Sequence, residues 1–193
     1  MEELTFNVNG QVYNLPPVAG KTLADLLRNR LRLTGTKIAC EESECGSCTV
    51  LVDGEPILSC MYPAERAVGK TVVSIEGLAK RVGEELKLHP LQEAFVEYGA
   101  VQCGFCIPGQ IMTAYALLQR NQNPSQDEIR FALKDTLCRC AGYPTIENAI
   151  LAAAQSLRTG DPLPLPHIPE SKHSYAVVGH TQIRPDSVEK VTG

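Results

Sequence analysis

Eight cysteines carry the chemistry that this sequence can do, and they fall into two groups of four. The first is Cys40, Cys45, Cys48 and Cys60, spaced C-x4-C-x2-C with eleven residues before the fourth. That spacing is the one plant-type [2Fe–2S] sites use: one loop wraps three thiolates around the cluster and a distant cysteine completes the set. The second group is Cys103, Cys106, Cys138 and Cys140, a C-x2-C pair followed 31 residues later by a C-x-C pair. Helix starts are expected beside both pairs, at Pro108 and near Thr145. Backbone N–H groups at helix N-termini favour an anionic guest. Gly46, Gly104 and Gly142 read as positions where the backbone approaches the sulfurs with no Cβ in the way. Two [2Fe–2S] clusters are the leading expectation. Zinc at either group, making the chain a two-zinc structural module, is the alternative from another class. Zinc motifs usually come as paired knuckles with His nearby, which the first group lacks. A free-standing ferredoxin or redox sensor is a third reading. Cys103-Gly104-Phe105-Cys106 read alone is a thioredoxin-like dithiol, but it falls among helices where a βαβ unit is needed.

Charged residues flank the ligands. Glu41, Glu42 and Glu44 lie within the first loop, either as a solvated rim or as carboxylates that disfavour an added electron and lower a cluster's potential. Arg139, between Cys138 and Cys140, is either a surface charge or an offset to cluster charge. None of His89, His167, His173 and His180 has ligand spacing, and His89 reads as a helix-start residue. Ala19-Gly20-Lys21-Thr22 has the end of a phosphate-binding loop, but Leu15 stands where its first glycine is required, so nucleotide binding is excluded there.

The elements that must position these groups change character along the chain. Leu4, Phe6 and Val8 alternate as a strand, Asn9-Gly10 signals a hairpin, and Val12 and Tyr13 follow. A helix is expected from Thr22 to about Arg30, then a strand over Thr49 to Val52, a turn at Asp53-Gly54 and a closing strand from Thr71 to Ile75. From about Leu78 the pattern turns helical. One helix opens at His89-Pro90 and another at Pro108. A third is capped by Ser125 and Glu128, with Ile129, Leu133 and Leu137 apolar, and a fourth runs from about Thr145 to Leu157. After Arg158, four prolines between Pro162 and Pro169 stiffen a linker. An α+β chain is expected: a sheet domain over 1–78, a four-helix bundle over 79–158, and an extended tail over 159–193 with too few apolar residues for a core of its own.

Composition removes other classes. With 5% aromatic residues and no Trp, any core is aliphatic and small, the kind that metal often staples. A net charge of −4 with no basic block gives no support to nucleic-acid binding. The apolar run Ala149 to Ala154 is far too short to span a bilayer. The opening Met1-Glu2-Glu3 is acidic where a secretion signal would be basic, so a cytoplasmic, reducing location is expected. That setting disfavours eight cysteines as disulfides.

Taken together, CEESECGSC with Cys60, QCGFCIPG at Gln102 to Gly109 and CRCAGY at Cys138 to Tyr143 closely resemble the iron–sulfur component of the molybdenum hydroxylases. That is the family of xanthine dehydrogenase, aldehyde oxidoreductase and carbon monoxide dehydrogenase. The resemblance spans about residues 3 to 158. It implies a β-grasp, ferredoxin-like domain and a helical domain, each holding one [2Fe–2S] cluster. It also implies a large partner carrying molybdenum–molybdopterin and a medium partner carrying FAD. Electrons would pass first through the helical-domain cluster and then through the other, and the chain alone would not be catalytic. By the same resemblance Gln102 and Cys140 lie beside the pterin. The implied substrate is a purine such as xanthine, with aldehydes or N-heterocycles as alternatives. VGHTQIRPDSVEKVTG, Val178 to Gly193, resembles the opening of the molybdenum-binding component, and the tail is expected to pack as a strap on that partner.

Overall fold

The computed structural model describes residues 3–17, 19–166 and 182–193. Its first half is a five-stranded mixed sheet built from β1 (Leu4–Val8), β2 (Gln11–Leu15), β3 (Thr49–Val52), β4 (Glu55–Leu58) and β5 (Thr71–Val73). The strand order is β2-β1-β5-β3-β4, with β1 and β5 parallel and every other pairing antiparallel. Both hairpins turn on the expected residues. Asn9 and Gly10 have φ of 53° and 78°, and Asp53 and Gly54 have 52° and 83°, the consecutive left-handed pair that a two-residue turn needs. The alternation in β1 buries Phe6 and Val8 completely, against Val50, Val52 and Val72. Helix α1 (Leu23–Asp25) widens into a π-helical stretch (Leu26–Arg30) and adds Leu23, Leu26 and Leu27 to the same core. The Thr22 hydroxyl accepts from the Asp25 N–H at 3.2 Å to start it.

The second half is helical: α2 (Pro90–Glu97), α3 (Ile107–Arg120), α4 (Gln126–Ala132) and α5 (Tyr143–Thr159). Ser125 and Glu128 form the capping box that starts α4, as the S-x-x-E pattern requires. The core of this half includes Phe95, Ile111, Met112, Ile129 and Ile150, and reaches across to Leu51, Ile75 and Leu78 of the sheet half. Between the halves, β6 (Lys80–Val82) and β7 (Glu85–Lys87) form an exposed two-stranded hairpin. Its residues alternate too weakly to be read in advance.

Three expectations need correction. The closing strand ends at Val73, because Ile75 turns into a short 3-10 stretch (Ile75–Gly77) that buries its side chain between the halves. Leu137 is not on the apolar face of α4. That helix stops at Ala132, and Leu137 lies 56% exposed in the loop beyond it. The end of the tail is not extended. A helix α6 (Ser187–Thr192) returns to the body and packs on α2 and α3, with Val191 fully buried in the helical core. The apolar run Ala176 to Val178, and His167, His173 and His180, lie outside the described residues.

A buried glutamine and a half-buried histidine join these pieces. Gln92, at the third position of α2, accepts the His89 N–H at 3.0 Å and donates its amide to the Val191 carbonyl at 2.8 Å. The His89 ring caps α2 by accepting the Leu91 N–H through Nδ1, and it stands edge-on to Tyr115 at 5.2 Å. Burial first, and the Lys80 charge second, push the His89 pKa down to about 4. The unfolded ring therefore takes up a proton, at its ordinary value of about 6.5, that the folded ring refuses. Stability is full above that value and falls as pH drops towards about 4. Replacing His89 by Asn keeps a cap acceptor and should flatten this part of the profile, read from denaturant melts at about pH 7 and about pH 5. Equal pH slopes in the two proteins would contradict the assignment.

Candidate iron–sulfur centre

The β3–β4 hairpin explains the eleven-residue gap in the first group. Cys48 immediately precedes β3 and Cys60 follows β4, and the register pairs Thr49 with Leu58, so both cysteines emerge at the same open end. Both are buried. The Cys48 carbonyl is fixed by the Ser59 hydroxyl at 2.6 Å. Cys40 and Cys45 belong to the loop ahead of β3 and are half-buried. The N–H groups of Glu42 and Glu44 both point at the Cys40 sulfur, each at 3.5 Å. That loop needs left-handed backbone at Glu41, Ser43 and Gly46 to curl around the thiol. The three glutamates of the loop are exposed.

The second group lies where two helices begin. Cys106 is the residue before α3, and Cys138 and Cys140 lead into α5, whose Gly142 N–H points at the Cys138 sulfur at 3.5 Å. The Tyr143 hydroxyl accepts the Cys138 N–H at 2.8 Å. Cys103 is exposed, Cys138 and Cys140 are half-buried, and Cys106 is buried.

Within each group the thiols feel one another: Cys40 feels Cys45, Cys48 feels Cys60 and Cys45, Cys103 feels Cys140, and Cys106 feels Cys138 and Cys103. Among the described residues no three His, Cys, Asp or Glu side chains gather to hold one metal ion. Four cysteines per group are the number a binuclear iron centre needs, two thiolates for each iron. The outer and inner thiols differ in charge preference. Backbone N–H groups of Glu42, Glu44 and Cys45 bring the Cys40 thiol down to about 7, and the Phe105 N–H lowers Cys103. Burial pushes Cys48 and Cys106 up to about 12, so these inner thiols ionise only beside a cation.

The two groups meet. The Leu137 N–H donates to the Cys45 carbonyl at 3.0 Å, and a cleft of about 400 Å³ between them is lined by Cys45, Cys103, Cys106, Cys138 and Arg139 among others. Gly46 serves this contact. A Cβ there would lie 2.7 Å from Thr136 Cα. Gly109, in the first turn of α3, backs onto the Gly46 carbonyl in the same way. Gln110 is wholly buried and donates its amide to the Thr136 carbonyl at 2.8 Å, holding the loop before Cys138. Neither Gln110 nor Leu137 carries a motif signal that marks it as a site residue. Gly104 is crowded by the stem of Lys190 from α6, and Gly142 faces the side-chain amide of the exposed Gln102.

Comparison with known proteins decides the lineage. Residues 6–72 match the model of a 2Fe-2S iron-sulfur cluster binding domain and residues 74–151 that of a [2Fe-2S] binding domain. The nicotinate dehydrogenase small FeS subunit of Eubacterium barkeri is 42% identical over 152 residues, which is 79% of this chain and 94% of that one. The chain belongs to the iron–sulfur subunits of the molybdenum hydroxylases. This molybdenum hydroxylase subunit is thus an electron-transfer component of an oxidoreductase and not its catalytic part. The xanthine dehydrogenase iron-sulfur-binding subunit of Escherichia coli O157:H7 is 45% identical over 146 residues, covering 75% of this chain and 89% of its own. The crystal structure of the aldehyde oxidoreductase from Desulfovibrio desulfuricans superposes with a TM-score of 0.87 at 36% identity, over 100% of this chain and 21% of that one. The chain spans about a fifth of that enzyme, and the match includes the tail. These relatives are named for different substrates, so membership does not single out purines. Among the described residues no helix is long and apolar enough to cross a membrane.

The contact between the groups can be tested by comparing two left-handed glycines. Gly54, at φ 83°, is open, whereas Gly46, at φ 70°, is crowded. Replacing either by Ala should cost about 1–2 kcal/mol for the backbone alone. Gly46→Ala should cost clearly more than Gly54→Ala in thermal unfolding, since it also wedges the loops apart. Equal losses would contradict the assigned role of Gly46.

Proposed function

We propose that this subunit carries single electrons from a molybdenum–molybdopterin site on a large partner to FAD on a medium partner or to another acceptor. In this reading the eight cysteines are the ligands. Cys103, Cys106, Cys138 and Cys140 hold the cluster on the molybdenum side, and Cys40, Cys45, Cys48 and Cys60 hold the cluster on the acceptor side. When bound, the clusters supply one-electron carriers. The chain supplies a short, fixed connection between them. The observation that carries the proposal is the Leu137 N–H to Cys45 carbonyl hydrogen bond, which links a ligand of one group to the neighbour of Cys138 in the other. The exposure of the outer edges supports two separate docking faces. Gln102 and Cys103 are exposed on one, with Cys140 half-buried beside them, and Glu41, Glu42 and Glu44 are exposed on the other. We place Gln102 and Cys140 next to the pterin on the first face.

The domain division that goes with this reading is a β-grasp, ferredoxin-like unit over 1–78, a four-helix bundle over 79–158 and a tail over 159–193, in a cytoplasmic enzyme. Substrate choice belongs to the large partner. A purine such as xanthine is the family-weighted first candidate, with aldehydes and N-heterocycles beside it.

Rapid-mixing reduction of the assembled enzyme tests the order. Cys103→Ser or Cys140→Ser should stop substrate-derived electrons before either cluster signal grows. Cys45→Ser or Cys48→Ser should leave molybdenum and the second group reducible while slowing delivery to the final acceptor at least about tenfold, a barrier increase of about 1.4 kcal/mol. The same behaviour in all four stably folded variants would contradict it.

A further inference from the structure

Helix α6 brings a cation to the second cysteine group from far along the chain. The Lys190 stem crosses Gly104, the glycine of the C-G-F-C motif, so closely that a Cβ there would lie 2.5 Å from Lys190 Cδ and 2.7 Å from Cγ. Gly104 has φ +90°, so the position resists substitution on backbone grounds as well. The Lys190 ammonium donates to the Gln102 carbonyl at 3.4 Å and pairs with Asp186 at 2.7 Å. Asp186 also pairs with Arg184. Two cations thus share one carboxylate, and the trio keeps one positive charge next to Cys103.

The trio does not hold α6 in place by itself. Val191 is fully buried, Ser187 is buried, and the Gln92 amide grips the Val191 carbonyl. Burying a Val side chain is worth about 1.5–3 kcal/mol, whereas partly exposed ion pairs contribute about 0–1 kcal/mol. The docking of α6 therefore survives loss of the Lys190 charge. What the charge does act on is its neighbourhood. A cluster held by four thiolates is anionic, and adding an electron makes it more so. A nearby cation, only 23% exposed, favours that added charge. Arg139, exposed between Cys138 and Cys140, acts with the same sign.

We propose that Lys190, with Asp186 and Arg184, is a positioning residue that raises the reduction potential of the second cluster and so makes it the better first acceptor. The proposal rests on the second cysteine group being a cluster site. It gives the segment after the linker a role in this subunit's own redox chemistry.

A redox titration of the purified complex, followed by electron spin resonance, tests it with Lys190→Gln, Lys190→Arg and Asp186→Asn. The midpoint of the second cluster should fall in Lys190→Gln, hold in Lys190→Arg, and rise in Asp186→Asn, where two cations lose their shared carboxylate. The first cluster should move less in every variant. A second-cluster midpoint that ignores Lys190→Gln, an unchanged or lowered one in Asp186→Asn, or equal movement of both clusters would each overturn the proposal. Absence of a second reducible centre in the unaltered complex would instead overturn the cluster assignment beneath it.

Discussion

The two cysteine loops must touch, and much of the chain is arranged to let them. One backbone hydrogen bond, from the Leu137 N–H to the Cys45 carbonyl, joins them. It forms only because Gly46 and Gly109 carry no Cβ, and because Gln110 holds the Thr136 carbonyl from inside the helical core. The sheet presents its loop at the end of the β3–β4 hairpin, and α3 and α5 present theirs at their N-termini. The shared core of Leu51, Ile75 and Leu78 with the helices keeps these ends in register. A relay needs a fixed separation more than it needs motion, and close packing across the seam supplies that.

Both groups repeat one electrostatic layout despite unlike spacing. An outer thiol is aimed at by backbone N–H groups and shifted towards the thiolate, and an inner thiol is buried and shifted away from it. The outer members tolerate charge where water and partners reach. The inner members tolerate it only when a metal supplies the compensating positive charge, which couples metal binding to a well-formed fold. In this light Lys190 is an outer charge supplied from a distance, and the acidic rim of the first loop is its opposite. The contrast in sign gives the two groups different surroundings for an added electron.

The sequence made some of this visible and hid the rest, for physical reasons. The two 2Fe-2S domains were legible from their cysteine motifs because thiolate geometry is local and demanding. The Asn9-Gly10 and Asp53-Gly54 turns and the Ser125–Glu128 cap were legible because each rests on residues within one turn of one another. The eleven-residue gap before Cys60 needed the hairpin to make sense of it. Gly46 and Gly104 also have neighbours that the sequence hid. Both look like glycines that open a path to sulfur, but what crowds them comes from Thr136 and Lys190, which no local pattern reveals. Helix α6 is six residues long and has a single fully buried apolar anchor, so its periodicity is faint. Leu137 fits the apolar spacing of α4, yet the chain leaves the helix before reaching it.

The relay requires the eight cysteines to hold two binuclear clusters. Iron and acid-labile sulfide analysis of the purified subunit, joined to spin resonance after dithionite reduction, tests this most directly. The account predicts about four irons and about four sulfides per chain, with two distinct reducible centres, one lost in Cys48→Ser and the other in Cys106→Ser. Zinc at either group, about two irons per chain, or a single reducible centre would contradict it.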